Sequence, residues 1–304
     1  MKKLPVLNAA TMHASILIAL GMIWSSSFLF IKISVETIPP MSVAAGRIVI
    51  AAILLWLYLK VRGDRLPPWG RVWWIVFLVG LLGNGLPFTL VGWGEIKIDS
   101  SLAAILMAIM PLSTLLLSHF MTSDERLNGP RITGVIFGLA GVVVLVGPET
   151  MMRLGDDAWR QLAVAGGAFC YAAAAVSARK LPPLSPASRG AAVMMCAAIQ
   201  MVPFALWFDR PWELMPSTNS IIATIYLGLF PTALATIMLF YLLTLRGATY
   251  VALNNYLIPV FGVFLGAIFL DEQVTAQAVG ALALILIGIT IASYRMKPLT
   301  PPAV

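Results

Sequence analysis

The chain has 304 residues, of which 60% are hydrophobic and 11% charged, with a formal net charge of +7. A soluble globular chain is nearer half apolar and a quarter charged, so an ordinary soluble domain and a disordered chain are both excluded. A bilayer-spanning helix takes about 20 residues, so ten of them would consume about 200 and leave no room for a large soluble domain.

Apolar runs of spanning length occur at 12–31, 41–61, 71–93, 99–120, 131–147, 160–178, 187–208, 218–245, 249–270 and 274–294. Prolyl pairs open three of the connections, at Pro39, Pro67 and Pro182. Two boundaries are nearly closed, Trp93–Ser101 and Arg246–Tyr250. The short loops make consecutive helices antiparallel neighbours. Both cysteines, Cys170 and Cys196, lie within apolar runs and read as small core residues.

An even number of spans puts both termini on one side. Lys and Arg divide fourteen to that side and five to the other, with Arg47 inside the second span. The positive-inside bias therefore places the tails, 1–11 and 295–304, in the cytoplasm. The basic balance is thus a topological label and implies no nucleic-acid partner. Trp56, Trp69, Trp73, Trp74, Trp93, Trp159, Trp207 and Trp212 fall near span ends, where amphipathic rings prefer the interface. Trp24 is the exception, about 12 residues or roughly 18 Å into its helix.

The two halves resemble each other. Pro111 matches Pro259 at an offset of 148, Asp124-Glu125 matches Asp271-Glu272 at 147, and Trp24–Lys32 aligns with Tyr171–Arg179 at 147. Each half holds five spans. An odd number makes the second half enter the membrane from the opposite side, which predicts an inverted repeat suited to alternating access. The two units are 12–147 and 160–294.

The sequence contains no Walker-type phosphate loop and no HExxH motif. Its two histidines, His13 and His119, lie near span ends and are too few for a metal cluster. The expectation is a protein that is not an enzyme and holds no cofactor or metal. Gly134/Gly138 and Gly262/Gly266 read as small-xxx-small helix contacts within one chain, which points to a monomer. No Asp or Glu falls in the middle of a span, which argues against a carrier of lipophilic cations and against an obvious proton-coupling carboxylate.

Other side chains suit a solute path. Trp24, Ser27, Phe28, Asn84, Phe88, Tyr171, Thr236, Tyr241, Asn254 and Asn255 lie within spans and offer aromatic surface, amides and hydroxyls. An amide facing lipid is costly, so each Asn should face protein or a cavity. Pro111 and Pro259 free backbone carbonyls mid-helix and read as kinks or hinges. Arg47 reads as a structural or gating cation that could also meet a carboxylate. Lys32 and Arg179 read as interface anchors.

The repeated pattern of a helix with a central Pro, an acidic end and a Gly-rich closing helix resembles the EamA module of the drug/metabolite transporter superfamily. RGATYVALNNYLIPVFGVFLGAIFLDEQ and WSSSFLFIK carry the likeness, which extends over residues 12–294. Within that superfamily the chain is similar to YddG-type bacterial amino-acid exporters. Asp124-Glu125 and Tyr171 depart from the usual Gly-Glu and Trp. The resemblance implies an all-α integral membrane protein with ten transmembrane helices in two inverted five-helix repeats around a central cavity. It implies a secondary transporter of the bacterial inner membrane that exports small neutral metabolites, above all aromatic and other amino acids. Sugar phosphates, nucleotide sugars or drug-like solutes are the alternative cargo. A dianion would need clustered cations, and only Arg47 is so placed.

Overall fold

A computed structural model describes residues 9–98, 100–122, 127–152, 156–258, 260–261 and 276–293. Among them the regular structure is helical, with no strand. In chain order we name α1 (Ala9–Val35), α2 (Pro40–Arg62), α3 (Val72–Glu95), α4 (Ser100–Met107), α5 (Ile109–Met121), α6 (Gly129–Met152), α7 (Ala158–Ala178), α8 (Pro186–Phe208), α9 (Thr218–Ala252) and α10 (Ala276–Ser293). Six of these, α1, α2, α3, α7, α8 and α9, are long and apolar enough to cross a membrane.

Local chemistry sets the ends. Pro40 and Pro186 open α2 and α8, where a missing N–H costs nothing. Ser185, Ser217 and Asp157 cap α8, α9 and α7 through their side-chain oxygens. Gly63 closes α2 with φ 70°. Asp209, just past the end of α8, reaches across to α2, where its carboxylate accepts from the Ser42 N–H at 2.7 Å and the Ser42 hydroxyl at 2.8 Å.

Two crowded boundaries in the sequence become breaks. The chain turns at Ile96–Ile98 after α3, and α9 is interrupted at Gly247, whose φ of 84° lies in the left-handed region. Between α4 and α5 the helix breaks at Ala108. Pro111 therefore sits in the first turn of α5, not in the middle of a continuous helix, and its missing donor is absorbed there. Pro259, Gly262, Gly266, Asp124, Glu125, Asp271, Glu272 and the chain ends 1–8 and 294–304 lie outside the described residues.

Two π-helical turns interrupt α3 and α9, at Leu81–Gly85 and Gly228–Leu234. Their first residues are 147 positions apart, the offset of the sequence repeat. Such i→i+5 turns widen a helix and re-aim its side chains.

The pairing of helices is reciprocal between halves. α3 packs on α7 and α9 packs on α1, while α2 packs on α8 and α6 on α10. The last contact is made by glycines: a Cβ at Gly288 would meet the backbone of Gly134 and Gly138 at 2.6–2.7 Å. The Gly134/Gly138 pair thus packs inside the chain. Large apolar side chains such as Ile18, Leu29, Ile136, Phe169, Ile199 and Ile222 point outward, as do Trp69, Trp74, Trp159, Trp207 and Trp212. An apolar exterior with aromatic ends is the surface a bilayer covers.

Candidate functional site

A cavity of about 130 Å³ lies among α1, α2, α3, α7, α8 and α9. A single water occupies roughly 10–15 Å³, so the chamber has room for a small solute.

Helical periodicity explains its walls. α1 presents Trp24, Ser27, Phe28 and Ile31, and α7 presents Tyr171, Ala174, Ala175 and Ala178. Both sets follow i, i+3, i+4, i+7 along one helix face. They correspond position by position at the repeat offset of 147. The two halves thus turn the same face to the cavity, bulky from α1 and mostly small from α7. The π turn of α3 contributes Asn84, and the π turn of α9 contributes Pro231 and Thr232. Asn84 and Pro231 are again 147 apart. Phe88, Thr236 and Asn255 complete the polar and aromatic lining named from the sequence.

The hydrogen bonds tie the halves together across this space. The Trp24 indole Nε1–H donates to the Pro231 carbonyl at 3.1 Å. The Asn255 amide donates to the Ala252 carbonyl and the Met110 sulfur. Arg47, 4% exposed, donates from Nε to the Thr232 hydroxyl at 2.9 Å and lies over the Phe88 ring at 3.8 Å. Thr232 in turn donates to Leu227 O at 2.7 Å, so its hydroxyl is held as an acceptor for the guanidinium. Phe88 and Tyr171 approach with ring centroids 6.3 Å apart.

Several polar groups on the cavity are left over. Among the described residues, the Ser27 hydroxyl is buried without a hydrogen-bond partner. Neither the Asn84 amide nor the terminal nitrogens of Arg47 meet a described acceptor. Buried polar groups are normally satisfied, so this set of donors in an apolar chamber marks a place for a polar ligand.

Two residues named with this group lie elsewhere. Tyr241 lines a second depression beside α2, with Met12, Tyr58 and Arg62, and its ring stands 6.1 Å from that of His13. Asn254 is 0% exposed and is not on the cavity wall. Its Oδ1 faces Gly21 of α1, where a Cβ would meet it at 2.9 Å.

The sequence reading also passed over Glu95 and misjudged Lys32. Glu95 sits two residues beyond the third apolar run, yet α3 continues through it and its side chain is 0% exposed. The cause is the glycines on either side of Trp93. Gly92 lets α3 approach Pro40 of α2, and Gly94 lets it approach the Arg160 carbonyl of α7. Glu95 is shut between them. Lys32 turns inward, donating from Nζ to the Glu95 main-chain carbonyl at 2.8 Å. A charged residue following two closely spaced glycines at the end of an apolar run was the available signal.

The chain matches the profile of the EamA-like transporter family twice, over residues 12–147 and 158–294. It is 28% identical to the "Uncharacterized inner membrane transporter YedA" of Escherichia coli, across 95% of this chain and 94% of that protein. It is 26% identical to "Protein PagO" of Salmonella typhimurium, across 87% and 85%. It is 23% identical to the "Uncharacterized transporter YoaV" of Bacillus subtilis, across 92% and 96%. A solved crystal structure superposes with a TM-score of 0.74 at 22% identity, covering 94% of this chain and 98% of that one, a likeness of fold.

Proposed function

This chain belongs to the EamA-like transporter family, and from that premise we propose that it is a secondary transporter of the bacterial inner membrane exporting amino acids, aromatic ones included. The observation that carries the reading is the composition of the cavity. Aromatic and aliphatic walls from Trp24, Phe28, Phe88 and Tyr171 suit an apolar side chain. Ser27, Asn84 and Arg47 supply unpaired donors for a polar head of limited charge. Arg47 is the cation on the described wall, enough for one carboxylate. A phosphate dianion would need more, so sugar phosphates and nucleotide sugars rank second.

Transport proceeds by alternating access around this chamber. The reading is of ten spans in two inverted halves, with both termini cytoplasmic, acting as a monomer without cofactor or metal. The reciprocal packing of α3 on α7 and α9 on α1 supports it, as does the shared offset of the two π turns. Those turns are the places where a helix can bend without breaking a full ladder of hydrogen bonds. Arg47 links α2 to the π turn of α9 through Thr232 and so reports ligand occupancy to a bendable segment.

The test is counterflow in proteoliposomes with a panel of labelled amino acids, sugar phosphates and nucleotide sugars. Amino acids, phenylalanine and tryptophan among them, should exchange. Exchange of phosphorylated solutes alone, or of nothing in the panel, would overturn the proposal.

A further inference from the structure

The second depression, of about 450 Å³, lies at the end of the molecule that the positive-inside bias gives to the cytoplasm. It shares no lining residue with the chamber. Helix faces show why. Ile16 of α1 and Tyr58 of α2 stand eleven positions, about three turns, from Ser27 and Arg47, so each of these helices turns one face to both spaces. α9 does not. It gives Thr236, Leu239 and Phe240 to the chamber, and Ile237, Met238 and Tyr241 to the depression. α9 is therefore the partition, and the depression is a groove on its far side. Beside it, Ile18 of α1 and Leu57 of α2 belong to the apolar exterior.

The groove is graded along its depth. Ile16, Ile237 and Met238 make an apolar floor. Tyr241 lies one turn above Ile237, and Arg62 one turn above Tyr58, so hydroxyls come next and a guanidinium stands at the rim. Arg62 is exposed, and its Nε donates to the Asp64 carboxylate at 3.2 Å. One terminal nitrogen donates to the Tyr58 hydroxyl at 3.2 Å, and the other meets no described acceptor. Lys60 and Arg65 are exposed beside it. Asp64 is the acid among them, and it also accepts from the Ser185 hydroxyl of the opposite half at 2.7 Å. Three cations against one acid leave this rim positive.

We propose that this groove binds one anionic glycerophospholipid of the adjoining leaflet, with its phosphodiester at Arg62 and the start of an acyl chain on Ile16, Ile237 and Met238. A phospholipid carries the same order of groups, charge at the water boundary and hydrocarbon below. Basic pockets between membrane helices on the cytoplasmic side suit such headgroups, and a guanidinium fork matches phosphate oxygens. α1 and α2 come from the first repeat, α8 and α9 from the second, so a seated lipid ties the halves together at this end. The site needs a bilayer and is independent of the amino-acid cargo.

The test uses the full chain, purified in detergent. Phosphatidylglycerol, phosphatidylcholine and soluble glycerol phosphate are added separately, with binding read by native mass spectrometry and by the melting temperature. Phosphatidylglycerol should bind as one retained copy and raise the melting temperature, with phosphatidylcholine at least about fivefold weaker. Glycerol phosphate, which lacks the acyl chains, should be at least about tenfold weaker. Arg62→Gln, at an exposed position, should weaken phosphatidylglycerol about fivefold and leave phosphatidylcholine unchanged. Met238→Trp fills the floor and should weaken both lipids at least about fivefold. Arg71→Gln removes an exposed cation off the groove and should leave binding at the parent value. Equal binding of the two lipids overturns the proposal, as does glycerol phosphate binding as well as phosphatidylglycerol. So does lipid binding indifferent to both groove variants, or weakened as much by Arg71→Gln. Amino-acid exchange separates this from the transport reading: exchange without lipid selectivity sinks only the lipid site, and lipid selectivity without exchange sinks only the cargo assignment.

Discussion

Gly138→Ala tests whether the packing of α6 against Tyr256 is as tight as its geometry states. A Cβ at Gly138 would stand 2.6 Å from Cδ2 and 2.9 Å from Cζ of Tyr256. That ring is 0% exposed, and its hydroxyl donates to the Val135 carbonyl at 3.0 Å. The ring cannot retreat without loosening that bond, and it is walled in by core side chains. Overpacking costs roughly 1–3 kcal/mol, and a buried donor pulled from its acceptor costs roughly another 1–3. The sum is about 2–6 kcal/mol, less whatever the backbone absorbs. Gly166 of α7 is the control, since a Cβ there would meet nothing within 4 Å. Gly→Ala at an open helical position gains roughly 0.5–1 kcal/mol. Thermal unfolding in detergent, followed by loss of the monodisperse peak, should therefore show Gly138→Ala melting well below the parent and Gly166→Ala at or above it. Equal melting of the two variants would refute the reasoning.

Trp24→Ala should cut amino-acid exchange about tenfold or more at unchanged expression, because it removes both a cavity wall and the link to Pro231, whereas Tyr241→Ala should leave exchange near the parent. Comparable exchange by the two variants would contradict the placement of the chamber. Asp209→Ala removes the acceptor at the start of α2 and should cost about 1 kcal/mol, read as a lower melting temperature. Arg189→Lys loses the fork that donates to the Pro182 carbonyl and the Thr244 hydroxyl, and should cost about 1–3 kcal/mol in the same assay, with no change expected in substrate preference.

Much of this molecule is legible along the chain. Hydrophobicity is summed locally, so the apolar runs foretell where helices run, and the repeat offset foretells which face of α7 answers which face of α1. Trp24, Phe28, Asn84, Phe88 and Tyr171 could be singled out because a polar or aromatic side chain within an apolar run is conspicuous in one dimension. Tyr241 and Asn254 looked equally conspicuous and lie off the cavity, since residue type cannot say which way a helix is rotated about its axis.

That rotation is a tertiary matter. It is settled by close contacts such as Gly94 against α7 and Gly21 against Asn254, which depend on partners more than 60 residues away. The burial of Glu95 follows from two close contacts, Gly92 with Pro40 and Gly94 with α7, so the neighbouring glycines hint at close packing while distant partners decide the enclosure. The π turns have the same origin, because an extra residue per turn is accepted only where neighbouring helices make room. Sequence alone determined the helical membrane class and the two-repeat plan, through hydropathy and periodicity. The packed structure alone decided which polar groups face one another across the chamber, because helix rotation and close approach are fixed by contacts between distant residues.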